Sequence, residues 1–370
     1  MSGAFCDWLS CYQNHGGGGL PVLNDGCVAQ FEADAVKQFI DPETGELRTI
    51  FDTSAIEWTT DRHFNYEGSY GTKVRIKCDG HRVSFDGNIG RWGRPDNVFG
   101  FSVLACIDRA NAILDIMGLP PFTHEKNIPT RGDAYIANGC VITRVDLTKN
   151  YAAGSPKNAA RLIHYFAGQD SGRRANAKQY GENGVTWGEG SKYWYGKMYV
   201  KADSLGDDVS DEVKEWVREQ GIVRHEISLK SRYLTQNGLR HINDWKHNHW
   251  VVWDEELNEV PTMENVVYNR FSDVLKRGQA VRTPLEEIPG NIGRIARDWR
   301  SGVDVWGDTN YAERTRRNWR KQLLQYGIDI KQPSAATRLN IRFEVIELQQ
   351  AQAPEWYWQQ QFKKPELRAA

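Results

Sequence analysis

Strict alternation across Lys197-Met-Tyr-Val-Lys201, repeated in Val223-Arg-His-Glu-Ile227, constrains this chain more than any other feature. Each run must be a strand with one apolar face, because successive side chains of a strand point to opposite sides. In the first run Met198 and Val200 alternate with Tyr199 and Lys201, so the phenol and the ammonium emerge together. In the second, Arg224 and Glu226 share a face opposite Val223, His225 and Ile227. Between the runs Ser210-Asp211 supplies N-cap chemistry, Val213, Trp216 and Val217 fall at helical spacing, and Gly221 stops the helix. This strand-helix-strand unit brings Tyr199 and Glu226 within reach of one phosphate.

A nucleophile, a cation and a carboxylate on neighbouring strands suit the cutting of a DNA strand. A phenol that attacks a phosphodiester forms a phosphotyrosyl link and frees a 3′-hydroxyl, which keeps the energy of the cut bond available for rejoining. Its pKa of about 10 means that it needs help. Lys201 supplies this by lowering that pKa or by neutralising the phosphorane, and a divalent metal held by carboxylates would polarise the non-bridging oxygens. With 15 tyrosines in 370 residues, a purely structural tyrosine is the ordinary alternative.

These residues resemble the gene II/X replication initiators of filamentous phages. Thr186 to Lys201 aligns without a gap on the tyrosine run of the coliphage member, and other blocks follow in the same order: Phe5-Cys-Asp-Trp-Leu9, Asn97-Val-Phe-Gly100, Gly118-Leu-Pro-Pro-Phe122, Thr143-Arg-Val-Asp146, Val223-Arg-His-Glu226 with Ser231-Arg-Tyr-Leu234, Tyr326-Gly-Ile-Asp-Ile330 and Pro354-Glu-Trp-Tyr357. Each block alone is weak, and their shared order carries the resemblance. It implies a rolling-circle initiator with Tyr199 as nucleophile and Lys201 as its lysine. Such an enzyme binds the duplex phage origin, nicks one strand, stays joined to the 5′ end, and later cuts and rejoins the displaced single strand. It also implies a host helicase and polymerase as partners, action in the host bacterial cytoplasm, and either a second nucleophile or a dimer on the DNA for rejoining. Tyr193, Tyr195 and Tyr233 lie nearby, and one tyrosine per protomer is the favoured reading.

The matched carboxylates are Glu226 and Asp146, with Asp7 as a third candidate metal ligand. All three sit in apolar-alternating runs, where a carboxylate is costly to bury unless it is paired or metal-bound. The alternative is an ion pair, Asp146 with Arg144 or Glu226 with Arg224. Oxygen ligands suit Mg²⁺ or Mn²⁺ rather than zinc. The chain departs from other rolling-circle nickases in having no His-hydrophobic-His pair; His247-Asn-His249 is its nearest approach. Asp203 follows the tyrosine run as either a replacement acid or a turn residue. Two rival readings remain: a non-catalytic origin or operator protein, and a metal-independent tyrosine recombinase or topoisomerase, for which Arg224-His225 is a slight basis.

A net charge of −1 and a pI of about 6.8 argue against indiscriminate coating of nucleic acid. A site-specific binder needs only a local basic surface. The candidates for DNA contact are Arg314, Arg316, Arg317, Arg320 and Lys321 at the front of one helix, and Arg294, Arg297 and Arg300 at a spacing of three on another. Six cysteines without a CxxC pair read as reduced, buried thiols. No apolar run approaches the length of a membrane span, so no membrane partner is expected.

The expected class is α+β: an antiparallel-sheet nicking lobe related to rolling-circle initiator folds, with a helical C-terminal region. The expected divisions are an N-terminal α+β lobe at 1–125, a core nicking lobe carrying the tyrosine at 126–245, and a mostly helical DNA-binding region at 246–370. The aromatic tail Pro354-Glu-Trp-Tyr-Trp358 is expected to dock back on the body.

Overall fold

The computed structural model describes residues 3–15, 19–40, 47–60, 73–124, 139–168, 176–181, 183–246, 262–272, 275, 288–324, 326, 328–331 and 348–361. Its strands are β1 (Phe5–Asn14), β2 (Val28–Phe31), β3 (Val36–Ile40), β4 (Leu47–Phe51), β5 (Glu57–Thr59), β6 (Val74–Cys78), β7 (Arg82–Gly87), β8 (Val141–Ala152), β9 (Lys178–Tyr180), β10 (Gly184–Trp187), β11 (Trp194–Val200), β12 (Ile222–Lys230) and β13 (Gln349–Gln350). Eleven of them form one antiparallel sheet in the order β5-β2-β6-β7-β1-β8-β12-β11-β10-β9, with β13 joining the edge of β8. Strands β3 and β4 pair separately. With helices packed on the sheet, the fold is α+β.

The sheet runs straight through the expected 125/126 division. β1 lies in its middle, paired with β7 on one side and with β8 on the other. The main core likewise draws on both sides of that division, joining Leu9, Val83 and Leu114 to Leu147, Leu229 and Tyr268. Alternation alone finds the strands but not which of them are neighbours, and here the neighbours cross the boundary.

Helix α1 (Val103–Ile116) starts on the Ser102 hydroxyl, which accepts from the Ala105 N–H. Helix α2 (Pro156–Phe166) starts on Ser155 and buries Ala159, Leu162, Ile163 and Phe166 against Val185, Trp187, Met198 and Val223, the back of the β10-β11-β12 surface. Helix α3 (Asp211–Glu219) is capped by Ser210 and stops before Gly221. Gly221 has φ +57°, and a Cβ there would sit 2.2 Å from the Ser155 carbonyl oxygen, so no other residue fits this close crossing. Helices α4 (Ser231–Gln236) and α5 (Met263–Asn269) pack on the main core.

Helices α6 (Gly290–Arg300) and α7 (Glu313–Leu324) enclose a small core of their own, Ile288, Ile295, Val305, Trp319, Leu323 and Ile330. The tail helix α8 (Glu355–Gln361) docks back by its aromatics as expected, with Tyr357 buried edge-on against Phe99. All six cysteines are free thiols, and all but Cys27 are buried. Among the described residues no helix is long and apolar enough to cross a membrane.

Candidate active site

Antiparallel pairing places directly opposed residues on the same face of a sheet, so the front face reads as rows. One row runs Asn150, Arg224, Tyr199, Gly184, Tyr180 from β8 to β9. Its neighbour runs Thr148, Glu226, Lys197, Thr186, Lys178. The parity expected for Tyr199, Arg224 and Glu226 is therefore the one observed. Lys201 lies just past the end of β11, in a 3₁₀ turn, but still turns inward and is buried.

The Tyr199 hydroxyl donates to Glu226 Oε1 at 2.6 Å. Lys197 Nζ lies 2.7 Å from the other carboxylate oxygen and 5.3 Å from the centre of the Tyr199 ring. Arg224 Nη1 stands 4.0 Å from Glu226 Oε1, while its Nε donates to Asn150 Oδ1 at 3.0 Å and its Nη2 donates to the carbonyls of Asn97 and Val98. Asn97 joins the two halves of the site. Its amide donates to Asp7 Oδ1 at 2.8 Å and its Oδ1 accepts from Lys201 Nζ at 2.9 Å.

Two buried carboxylates, Asp7 and Glu226, thus meet three cations, Lys197, Lys201 and Arg224. Burial alone would raise the Glu226 pKa, but Lys197 and Arg224 outweigh it and hold the group at about 2. Burial pushes the Tyr199 phenol well above its ordinary value, and the Glu226 charge adds to this. Asp7 is raised by burial and then by the Glu226 charge. Lys201 falls well below the usual lysine range through burial and the Arg224 charge. In this state the phenol is protonated and docked on an ionised carboxylate, with a surplus positive charge around it. A phosphodiester would meet that surplus, and its transition state gathers further negative charge.

The Asn97 turn is itself clamped by the tail. The Tyr357 hydroxyl donates to Asp96 and accepts from Arg94 Nη2 at 2.9 Å and from the Phe99 N–H at 3.1 Å. Gln361 bonds to both Asp96 and Arg94. The Asn97 and Pro354 blocks, far apart in sequence, therefore meet behind the site.

Asp146 does not join Asp7 and Glu226 in one cluster. Arg144 holds it with two hydrogen bonds of 2.8 and 2.6 Å, the ion-pair alternative weighed from sequence. Among the described residues no group of three or more Asp, Glu, His or Cys side chains is placed to hold a metal. A smaller donor set is present in Asp7 and Glu226, two carboxylates that raise each other's cost, with the buried Thr148 hydroxyl opposite Glu226 lacking a hydrogen-bond partner among the described residues. One or two carboxylates completed by substrate phosphate suit Mg²⁺, so this set fits the expected ion. His247 and His249 lie outside the described residues.

Sequence reasoning missed Lys197 and Asn97. The alternation that singled out Tyr199 also places Lys197 two residues away on the same face, so its signal was available. Asn97 lies in an irregular stretch with no periodicity to mark it.

The basic helices divide. On α7, Arg316 donates to the Trp306 carbonyl and Arg320 grips Asp329 through both carboxylate oxygens and also donates to Gln179, so these two side chains tie the module together, whereas Arg317 pairs with Glu313 on its own helix and is exposed. Arg314 of α7 is exposed, as are Arg294 and Arg297 of α6; Arg300 and Lys321 are half-buried.

Known proteins resemble this chain over most of its length. A curated relative, the replication-associated protein of Escherichia phage If1, is 27% identical over 326 residues, covering 77% of this chain and 97% of the relative. A solved rolling circle replication initiator protein from Geobacillus stearothermophilus matches 74% of this chain and 97% of its own at 10% identity, with a TM-score of 0.26, a distance at which the likeness carries no argument. The family model that describes the N-terminal part of the phage gene II replication-associated protein matches residues 23–248, which hold Lys197, Tyr199, Lys201 and Glu226. With more than half its length inside that model, the chain belongs to the phage gene II replication-associated protein family.

Proposed function

We propose that this chain starts and ends rolling-circle replication of a filamentous phage genome by nicking and rejoining one DNA strand through Tyr199. Family membership supports the replication role. The observation that carries the chemistry is the 2.6 Å hydrogen bond from the Tyr199 phenol to the ionised Glu226, inside a cluster with a surplus of positive charge.

In this reading the duplex origin is opened and the scissile phosphate settles over Lys197, Tyr199 and Arg224. Glu226 orients the phenol, whose proton passes to solvent as the oxygen attacks phosphorus. Lys197 and Arg224, already in place, balance the charge that gathers on the non-bridging oxygens without reorganising. The bond from phosphorus to the 3′-oxygen breaks, that oxygen takes a proton from solvent to become the free 3′-hydroxyl, and the 5′-phosphate stays on Tyr199. Lys201, held by Asn97, keeps the Asp7 side of the site charge-balanced. Asp7 and Glu226 would hold Mg²⁺ or Mn²⁺, which supplies Lewis-acid polarisation of the phosphate. Rejoining reverses the attack, with the 3′-hydroxyl of the displaced strand as nucleophile. Arg294, Arg297 and Arg314 are the side chains proposed to contact phosphates of the bound origin.

The test incubates purified protein and its Tyr199→Phe variant with supercoiled origin DNA and Mg²⁺, and looks for open circles with protein on the 5′ end. Nicking by the wild type alone is expected. Nicking by both would move the nucleophile elsewhere, and origin binding with nicking by neither would leave a non-catalytic DNA-binding protein.

A further inference from the structure

Beside Tyr199 lies a cavity of about 430 Å³, which the chemistry above does not use. Its shape follows from the row Tyr199, Gly184, Tyr180 on three adjacent strands. Gly184 supplies no side chain, and a Cβ there would fall 2.6 Å from the Tyr180 carbonyl oxygen and 3.0 Å from its ring. The result is a slot with a backbone floor between two phenol rings. Tyr180 is 48% exposed, a large aromatic face turned to solvent with little packed on it.

The rim of the slot is richer in acceptors than in donors. Asn183 donates an amide hydrogen to Asp203 Oδ2 at 2.7 Å, and the Ser204 hydroxyl donates to the Lys201 carbonyl at 3.0 Å. This leaves Asp203 Oδ1, Asn183 Oδ1 and the Ser204 oxygen as acceptors, against one remaining donor on these side chains, the second Asn183 amide hydrogen. An acidic rim repels phosphate, so the backbone of a bound strand would stay with Lys197 and Arg224 while something uncharged and flat enters the slot.

We propose that this slot holds one unstacked nucleobase of single-stranded DNA next to the scissile phosphate, stacked on Tyr180 and selected for an amino group on its edge. The inference rests on, and deepens, the reading of Tyr199 as the nucleophile. The volume is within the range of small-ligand pockets, about 300–1,000 Å³. Stacking on an aromatic face accepts any base. The acceptor-rich rim then discriminates: cytosine N4 and adenine N6 offer donors, whereas thymine offers a carbonyl at the corresponding position. Asp203, in the turn after the tyrosine strand, gains a role as a specificity-determining residue.

Binding tests this separately from cutting. Fluorescein-labelled oligo(dC), oligo(dA) and oligo(dT) of about 12 nucleotides, within the usual footprint of single-strand binders, are titrated with the full chain carrying Tyr199→Phe, and again with Tyr180→Ala, Tyr180→Phe or Asp203→Asn added. The expected result is tighter binding of oligo(dC) and oligo(dA) than of oligo(dT). Tyr180→Ala should weaken binding roughly 5- to 100-fold, the loss of one stacking platform, while Tyr180→Phe preserves it. Asp203→Asn should narrow the gap between oligo(dC) and oligo(dT). Tyr180 is exposed, and unchanged melting curves would confirm that the variants fold. Equal affinity of Tyr180→Ala and its parent, or oligo(dT) bound as tightly as oligo(dC), would overturn the proposal. Base-selective binding without origin nicking by the unmodified chain would refute the nicking reading and leave the slot standing; nicking without base-selective binding would do the reverse.

Discussion

Replacing Tyr357 by phenylalanine removes one oxygen and tests how the tail holds the active-site turn. That oxygen serves three groups at once: the Phe99 N–H, Arg94 Nη2 and the Asp96 carboxylate. Arg94 keeps Gly90 and Gln361 as partners, and Asp96 keeps the Val98 N–H and Gln361, so both are only weakened. The Phe99 N–H loses the one side-chain acceptor that it has here, in a fully buried setting around Tyr357. An orphaned buried donor costs about 1–3 kcal/mol, and a lost bond to charged partners adds to that, giving about 2–4 kcal/mol. At about 1.4 kcal/mol per decade, undocking of the tail should rise roughly 30- to 1,000-fold. Native-state proteolysis at the tail, together with amide exchange across 96–99, reads that change directly. Because Asn97 holds both Asp7 and Lys201, origin nicking should fall in parallel. Proteolysis and exchange within about twofold of wild type would refute the view that this hydroxyl locks tail to turn.

Other perturbations separate the parts of the molecule. Asp7→Asn should cut the nicking rate by at least about 100-fold in Mg²⁺, and EDTA should abolish nicking of the wild type. Asp146→Asn, which breaks the Arg144 pair, should cost less than about tenfold, and a reversed order in single-turnover assays would return Asp146 to the metal site. Removing Arg294 or Arg297 should lower the salt dependence of origin affinity by about one unit of slope each, whereas Arg320→Ala should loosen the α6-α7 module instead, as measured by binding at several salt concentrations and by thermal melting. Asp329 also carries a pH signature. Burial raises its pKa, but the Arg320 guanidinium outweighs this and sets it below the ordinary carboxylate value. Its stabilising contribution is therefore complete above about pH 4 and is lost as pH falls through the lowered folded value. Trp319 emission should report the module loosening in that acidic window, and Asp329→Asn should remove the dependence; an unchanged acid transition in the variant would count against the pair.

Much of this was readable from the chain, and the reason differs by element. The faces of β11 and β12 follow from alternation, so Tyr199, Arg224 and Glu226 could be placed together. The cap Ser210 is local chemistry, and α3 begins where that residue stands. Register across strands is not local. Nothing in the spacing of Gly184 and Tyr180 told that they would line up with Tyr199, and the slot between them stayed invisible. Asp146 illustrates a different limit: a carboxylate in an apolar strand signals a partner without naming it, and Arg144 two residues away was as good a candidate as a metal. Asn97 shows a third, since an irregular turn held from behind by a distant tail has no periodic trace.

The central place of β1 also sets a timetable for the molecule. On the ribosome the strand carrying Asp7 emerges before both of its neighbours; one of them, β8, begins only at Val141, and the strand that brings Glu226 follows later still. Until then Asp7 has no acidic companion and the sheet has a raw edge. The clamp at Tyr357 follows all of these strands. A copy made only as far as β7 would thus present an open sheet edge without the Tyr199 cluster, and the turn that carries Asn97 would be locked only when the helix of Tyr357 had emerged.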